Sequence, residues 1–184
     1  MFKTDARTIG FIVTFTALTI ILNLSPIKIP APYAPYLIYQ VWEVPIVAAF
    51  LLYGFSISLI VALTNTLALL VIFPGALITG PFYNLAAVIS MLIGLSIPKM
   101  ARLNPSKNVK TLALYTALGI ASRVVFMTLI NWIFLRFPPP VGFALSEEAI
   151  IASLPIIAFF NATLAAYTIP LGVIIAKTLK SVTK

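Results

Sequence analysis

The sequence predicts an all-α membrane protein, a bundle of six transmembrane helices, and three observations carry that prediction. Of its 184 residues, 61% are hydrophobic and only 9% are charged, where an ordinary soluble domain has about a quarter charged. A soluble fold this short has too high a ratio of surface to volume to hide so much apolar surface. Apolar runs recur along the chain between breaks rich in proline and glycine, and the length holds about six spans at roughly 20 residues each plus short connections. The basic residues, which bring the net charge to +8, fall almost entirely between and beyond those runs.

Each element follows in order. The first span is expected over Thr8 to Leu24, ended by Ser25-Pro26. Its basic flank, Lys3 and Arg7, resembles that of a signal peptide, but a small-residue cleavage site is missing and further spans follow, so it is expected to be a retained helix. Pro26, Pro30, Pro32 and Pro35 then fix φ and remove donors, which predicts an extended, stiff loop. A short second span runs from Trp42 to Tyr53 with Pro45 in its first turn, where proline costs little. The third is Ile57 to Phe73, and Pro74-Gly75 and Gly80-Pro81 bracket a second loop. The fourth is Phe82 to Ile97, stopped by Pro98, and Lys99 to Lys110 is the one soluble-looking linker. The fifth covers Thr111 to Leu135, Pro138-Pro139-Pro140 opens a third loop, and Glu147-Glu148 begins a sixth that ends near Ala176. Residues 1–184 are expected to form one domain.

Charge sets the orientation. With the N-terminus inside, six spans place nine of the twelve basic residues on the cytoplasmic side: Lys3, Arg7, Lys99, Arg102, Lys107, Lys110, Lys177, Lys180 and Lys184. The expected location is therefore the cell membrane, multi-pass, with both termini cytoplasmic and the three proline-rich loops outside. Ser106→Cys and Thr183→Cys are predicted to resist an impermeant thiol reagent in intact cells, and labelling of either overturns this topology. No nucleic acid is expected as a partner, because the basic residues are not interleaved with aromatics in a polar groove. The chain has no Cys and no His, so thiolate chemistry is excluded and a metal site has almost nothing to build on. A pair of acids in a span to act as general acid and base is missing, as is a phosphate-cradling Gly-Lys-Ser/Thr motif. The chain is not expected to be an enzyme.

Polar groups in hydrocarbon are costly and usually turn inward. Asn65 sits near the middle of its span, while Asn84, Asn131 and Asn161 fall in the outer halves of theirs. An asparagine both donates and accepts, so several at similar depth suit the amide edge of a heterocycle. The alternative is interhelical glue, worth about 0.6–2 kcal/mol each. Glu43 is placed at the outer end of span two, either as a solvated acid favoured by the helix dipole or as a site residue. Arg123 is expected to bond backbone carbonyls or to snorkel inward. Tyr33, Tyr36, Tyr39 and Trp42 form either an interfacial belt or a stacking surface for a flat ligand. Gly10, Thr14 and Ala17 lie on one face of span one and permit close helix approach, within the protein or to a partner.

The stretches Ile27-Lys28-Ile29-Pro30-Ala31-Pro32-Tyr33-Ala34-Pro35-Tyr36-Leu37 and Gln40-Val41-Trp42-Glu43-Val44-Pro45 resemble the riboflavin-specific S components of energy-coupling factor (ECF) transporters. The resemblance continues in order through Tyr53-Gly54, Val61 to Asn65, Gly80 to Ala86, Asn131-Trp132 and Phe160-Asn161. It implies an S-component-like bundle of six helices with structured extracellular loops. Such a subunit captures a vitamin and delivers it to a transmembrane coupling subunit and two ATPase subunits, with riboflavin as transported ligand and no cofactor. The ligand-facing positions it implies are Tyr36, Ile38, Gln40, Gly80, Asn131 and Asn161, and the partner-docking face is Gly10, Thr14 and Ala17. This chain departs from the family at Thr64 and Leu164, where lysines are usual, at Gln40 in place of an acid, and in span one. Another vitamin or small heterocycle is the alternative ligand, and a membrane assembly protein the alternative class. A stand-alone secondary carrier has only Arg123 as a buried ionisable candidate.

Overall fold

A computed structural model describes residues 6–72 and 78–182. Pro74-Gly75, Lys3, Thr183 and Lys184 lie outside the described residues. Six helices form, with one small hairpin: α1 (Ala6–Leu24), β1 (Ile29–Ala31), β2 (Ala34–Tyr39), α2 (Val44–Tyr53), α3 (Phe55–Ile72), α4 (Gly80–Met100), α5 (Val109–Phe134) and α6 (Glu147–Val182). Four of these, α3 to α6, are long and apolar enough to cross a membrane, and α1 and α2 are shorter apolar helices. Large apolar side chains stand exposed around the bundle, Val71 at 83% and Leu67 at 62% among them. In water such a surface would drive aggregation, whereas in a bilayer it is the solvated face. The protein is a multi-pass membrane protein.

The proline-studded segment is extended, as its composition dictates, and it is also paired. Strands β1 and β2 are antiparallel, with Ile29 opposite Tyr39, Pro30 opposite Ile38 and Ala31 opposite Ala34. A two-stranded ribbon has only edge strands, so Pro30 fits with its missing N–H on the unpaired side. The hairpin is pinned to α6 by the Tyr39 hydroxyl against Thr163 Oγ1 at 2.6 Å and by ring contacts of Tyr39 with Phe160 and of Tyr33 with Phe159.

Helix α2 is the centre of the core: Val44 to Phe50 are all buried. Its 10 residues rise about 15 Å, half of the roughly 30 Å hydrocarbon layer. Gly172 of α6 lies so close to Val47 that an added Cβ would sit 2.5 Å from its Cγ1, which lets α6 run against α2. Two helix ends lie beyond the positions expected from sequence. Pro98 does not stop α4, which continues to Met100 because a proline one turn from a helix end forfeits a single bond. The stop is a Schellman cap: Arg102 adopts φ 56, its N–H donates to Lys99 O at 2.9 Å, and Leu103 N–H donates to Pro98 O at 3.1 Å. Helix α6 passes Ala176 and runs to Val182 despite Pro155 and Pro170 in its interior. One end of the bundle thus carries the hairpin, and the opposite end carries Lys99, Arg102, Lys107, Lys110, Lys177 and Lys180, with Ser106 in the α4–α5 connection.

Candidate functional site

Because α2 is too short to cross, its N-terminus lies inside the bundle and not at a membrane surface. Glu43, the residue before α2, is therefore 2% exposed. A carboxylate there requires a partner, since an unpaired charge in a low-dielectric interior costs several kcal/mol. Arg123 of α5, also 2% exposed, supplies it. Its Nη1 and Nη2 donate to the two carboxylate oxygens of Glu43, the latter at 2.9 Å. Its Nε donates to Asn161 Oδ1 of α6 at 2.9 Å, and Met91 Sδ of α4 lies 3.9 Å from Nη1. The guanidinium fork matches a carboxylate in two bonds, which is why arginine suits this place. One buried point therefore ties together α2, α4, α5 and α6.

Two sequence expectations change here. Glu43 is not a solvated interfacial acid, and Arg123 neither bonds backbone carbonyls nor reaches the surface; each is the other's buried partner. The available signal was arithmetic: one acid and one base in otherwise apolar spans cannot be buried separately.

The candidate ligand-facing residues are distributed around this network. Gln40 leads into it: its backbone carbonyl accepts from the Tyr167 hydroxyl at 2.6 Å, and its Oε1 is buried with no hydrogen-bond partner. Asn161 is buried and doubly engaged, with Arg123 on its oxygen and Nδ2 donating to Ile157 O at 2.9 Å. Asn131 is buried too, and its Nδ2 donates back to Met127 O at 2.7 Å. It stands eight positions beyond Arg123 on α5, about 12 Å of helix rise toward the hairpin end. The buried Thr128 Oγ1, on the intervening turn, has no partner. Tyr36 is 68% exposed and Ile38 36% exposed, on the outer side of the hairpin. Gly80 opens α4 beside Thr79 and Tyr83, which tie that corner to the third loop: Thr79 Oγ1 donates to Pro140 O, and Tyr83 Oη donates to Val141 O at 2.9 Å. Asn84 is exposed and Asn65 is buried.

On α1, Gly10, Thr14 and Ala17 are all exposed, and an added Cβ at Gly10 meets nothing within 4 Å. The opposite face, with Phe15, Thr16, Thr19 and Asn23, is the buried one. The small-residue stripe thus faces out of the bundle. Thr64 is exposed and bonds its own helix at Ile60 O, and Leu164 is buried. Among the described residues there is no cluster of acids that could hold a metal ion.

No protein-family model matches the chain, and no curated protein matches it. Among solved structures, one reported as "Structure and mechanism of the S component of a bacterial ECF transporter" is similar with a TM-score of 0.75 at 21% sequence identity. The likeness covers 97% of this chain and 98% of that one. From end to end, this chain has the fold of an ECF-transporter S component.

Proposed function

We propose that this protein is the substrate-binding S component of an ECF-type uptake transporter, that its ligand is riboflavin, and that it lies in the cell membrane with both termini cytoplasmic. The observation that carries the proposal is the end-to-end correspondence of fold with an S component, and the proline-rich first loop and its Gln40 to Pro45 continuation add the riboflavin-type pattern. The chain is a carrier of ligand and not an enzyme. It has no nucleotide-binding motif, so energy comes from a coupling subunit and two ATPase subunits. The ligand enters from the hairpin end, beneath Tyr36 and Ile38 and beside Gly80, toward Gln40, Asn131 and Asn161.

The groups present suit such a ligand. A flavin ring is flat and largely apolar, with amide-like donors and acceptors along one edge. The buried, partnerless Gln40 Oε1 and Thr128 Oγ1 are groups such an edge satisfies. No lysine stands at Thr64 or Leu164 to meet a phosphate, so riboflavin is expected to bind better than its 5′-phosphate. Losing one hydrogen-bonding partner in a dry site costs about 1–3 kcal/mol. Asn131→Leu and Asn161→Leu are each expected to weaken binding about tenfold or more. Asn161→Leu also removes an acceptor from Arg123, so its thermal stability is measured beside its affinity. Quenching of flavin fluorescence on titration reads the affinity directly. If riboflavin does not quench, or neither substitution changes the affinity, the flavin assignment fails.

The second reading is a membrane assembly protein whose asparagines hold helices together. The bond that Asn161 accepts across helices from Arg123 favours it, and it predicts lower thermal stability in Asn161→Leu with no ligand to lose.

A further inference from the structure

We propose that a cavity at the basic end of the bundle binds the phosphate of an anionic phospholipid between Lys99, Arg102 and Lys180. The cavity holds about 230 Å³ where the last turns of α2, α4 and α6 converge, with Leu51 and Tyr115 among its walls and no carboxylate in its lining. The described acids lie elsewhere: Glu43 is sealed against Arg123, and Glu147 and Glu148 begin α6 at its far end from Lys180. Three like charges gathered on one cavity repel one another, and an anion between them converts that repulsion into attraction.

The local geometry presents these cations. Lys99 Nζ donates to Phe50 O and lies 4.3 Å from the Phe50 ring centroid, and an ammonium with three N–H groups has donor capacity beyond that carbonyl. Arg102 stands in the left-handed region at φ 56, a conformation that glycine adopts at no steric cost. Its guanidinium fork matches two phosphate oxygens at once. Asn104 and Ser106 add polar groups to the rim.

A lipid fits better than a free ion because the surroundings are apolar. Ile97 is 57% exposed, Met100 83% and Val109 80%, at the end of α4 and the start of α5. They give acyl chains an apolar surface at the same end of the bundle as the charged cavity. Basic pockets between helices at a membrane surface recruit anionic headgroups in this way. The proposal does not depend on which ligand the hairpin end takes.

The test uses the full chain, purified in detergent, with three probes: a short-chain phosphatidylglycerol, the matching phosphatidylcholine, and inorganic phosphate. Native mass spectrometry reads retention, and thermal unfolding reads the fold. Phosphatidylglycerol is expected to be retained about tenfold more than phosphatidylcholine. Arg102→Gly relieves the left-handed backbone, so its melting temperature should equal or exceed that of the parent, while its phosphatidylglycerol retention falls about tenfold. Lys180→Gln should show the same loss of retention with the fold intact. Equal retention of the two lipids by the parent protein, or unchanged retention in both variants, overturns the site. Stabilisation by millimolar inorganic phosphate that matches phosphatidylglycerol assigns the cavity to a free anion and overturns the lipid.

Discussion

Arg123→Met is expected to lose most of the folded protein, and Glu43→Gln to lose nearly as much. Either substitution leaves the other charge 2% exposed with no counter-ion, and breaking a buried pair from one side costs about 3–5 kcal/mol. The same loss separates α5 from α2 and α6, which the guanidinium joins. The double variant is expected to be far better behaved than either single one, because an apolar or neutral pair in that volume removes the uncompensated charge. Thermal unfolding in detergent of the parent, both single variants and the double variant forms a complete cycle. If the single variants melt with the parent, or if the two effects simply add, the pair does not hold the core.

Thr14→Leu is expected to abolish transport while leaving binding untouched. Thr14 is exposed on α1, and its Oγ1 bonds only its own helix, at Gly10 O, 2.8 Å away. A leucine there meets lipid, so the stability should change by no more than about 0.5 kcal/mol. A partner helix packed on Gly10, Thr14 and Ala17 needs close backbone approach, which a leucine prevents. Cells that also express the coupling subunit and both ATPases should take up labelled riboflavin with the parent protein and not with Thr14→Leu. Flavin quenching by the purified variant should match the parent. Uptake that survives the added bulk removes α1 from the docking face.

Much of this protein was legible in its residues. Composition alone determined the solvent, since hydrocarbon is the only medium in which 61% hydrophobic residues leave no surface to hide. The order of the helices followed from apolar runs and from proline and glycine breaks, and the extended first loop followed from its prolines. Helix ends were less legible. Pro98 is a helix breaker by propensity, yet near a C-terminus its cost is one hydrogen bond, so a cap three residues on decides the stop. The outward direction of Gly10, Thr14 and Ala17 was open too, because a small-residue stripe serves either side of a helix until packing chooses.

Only the tertiary structure decided the interior. From sequence, Glu43 stood at the outer end of span two and so at a membrane boundary. In the fold, α2 covers half the membrane's thickness, its start is drawn into the core, and the hairpin packs against α6 above it. That displacement carries Glu43 to Arg123, 80 residues away in the chain, and takes Asn161 from an isolated polar group to the third member of the network. Periodicity and propensity report on neighbours along one helix, while a buried charge is settled by whichever side chain another helix brings within hydrogen-bond distance. The depth of Asn131 relative to Asn161 depends in the same way on how α5 and α6 slide past one another, and a residue count within each span cannot set that register.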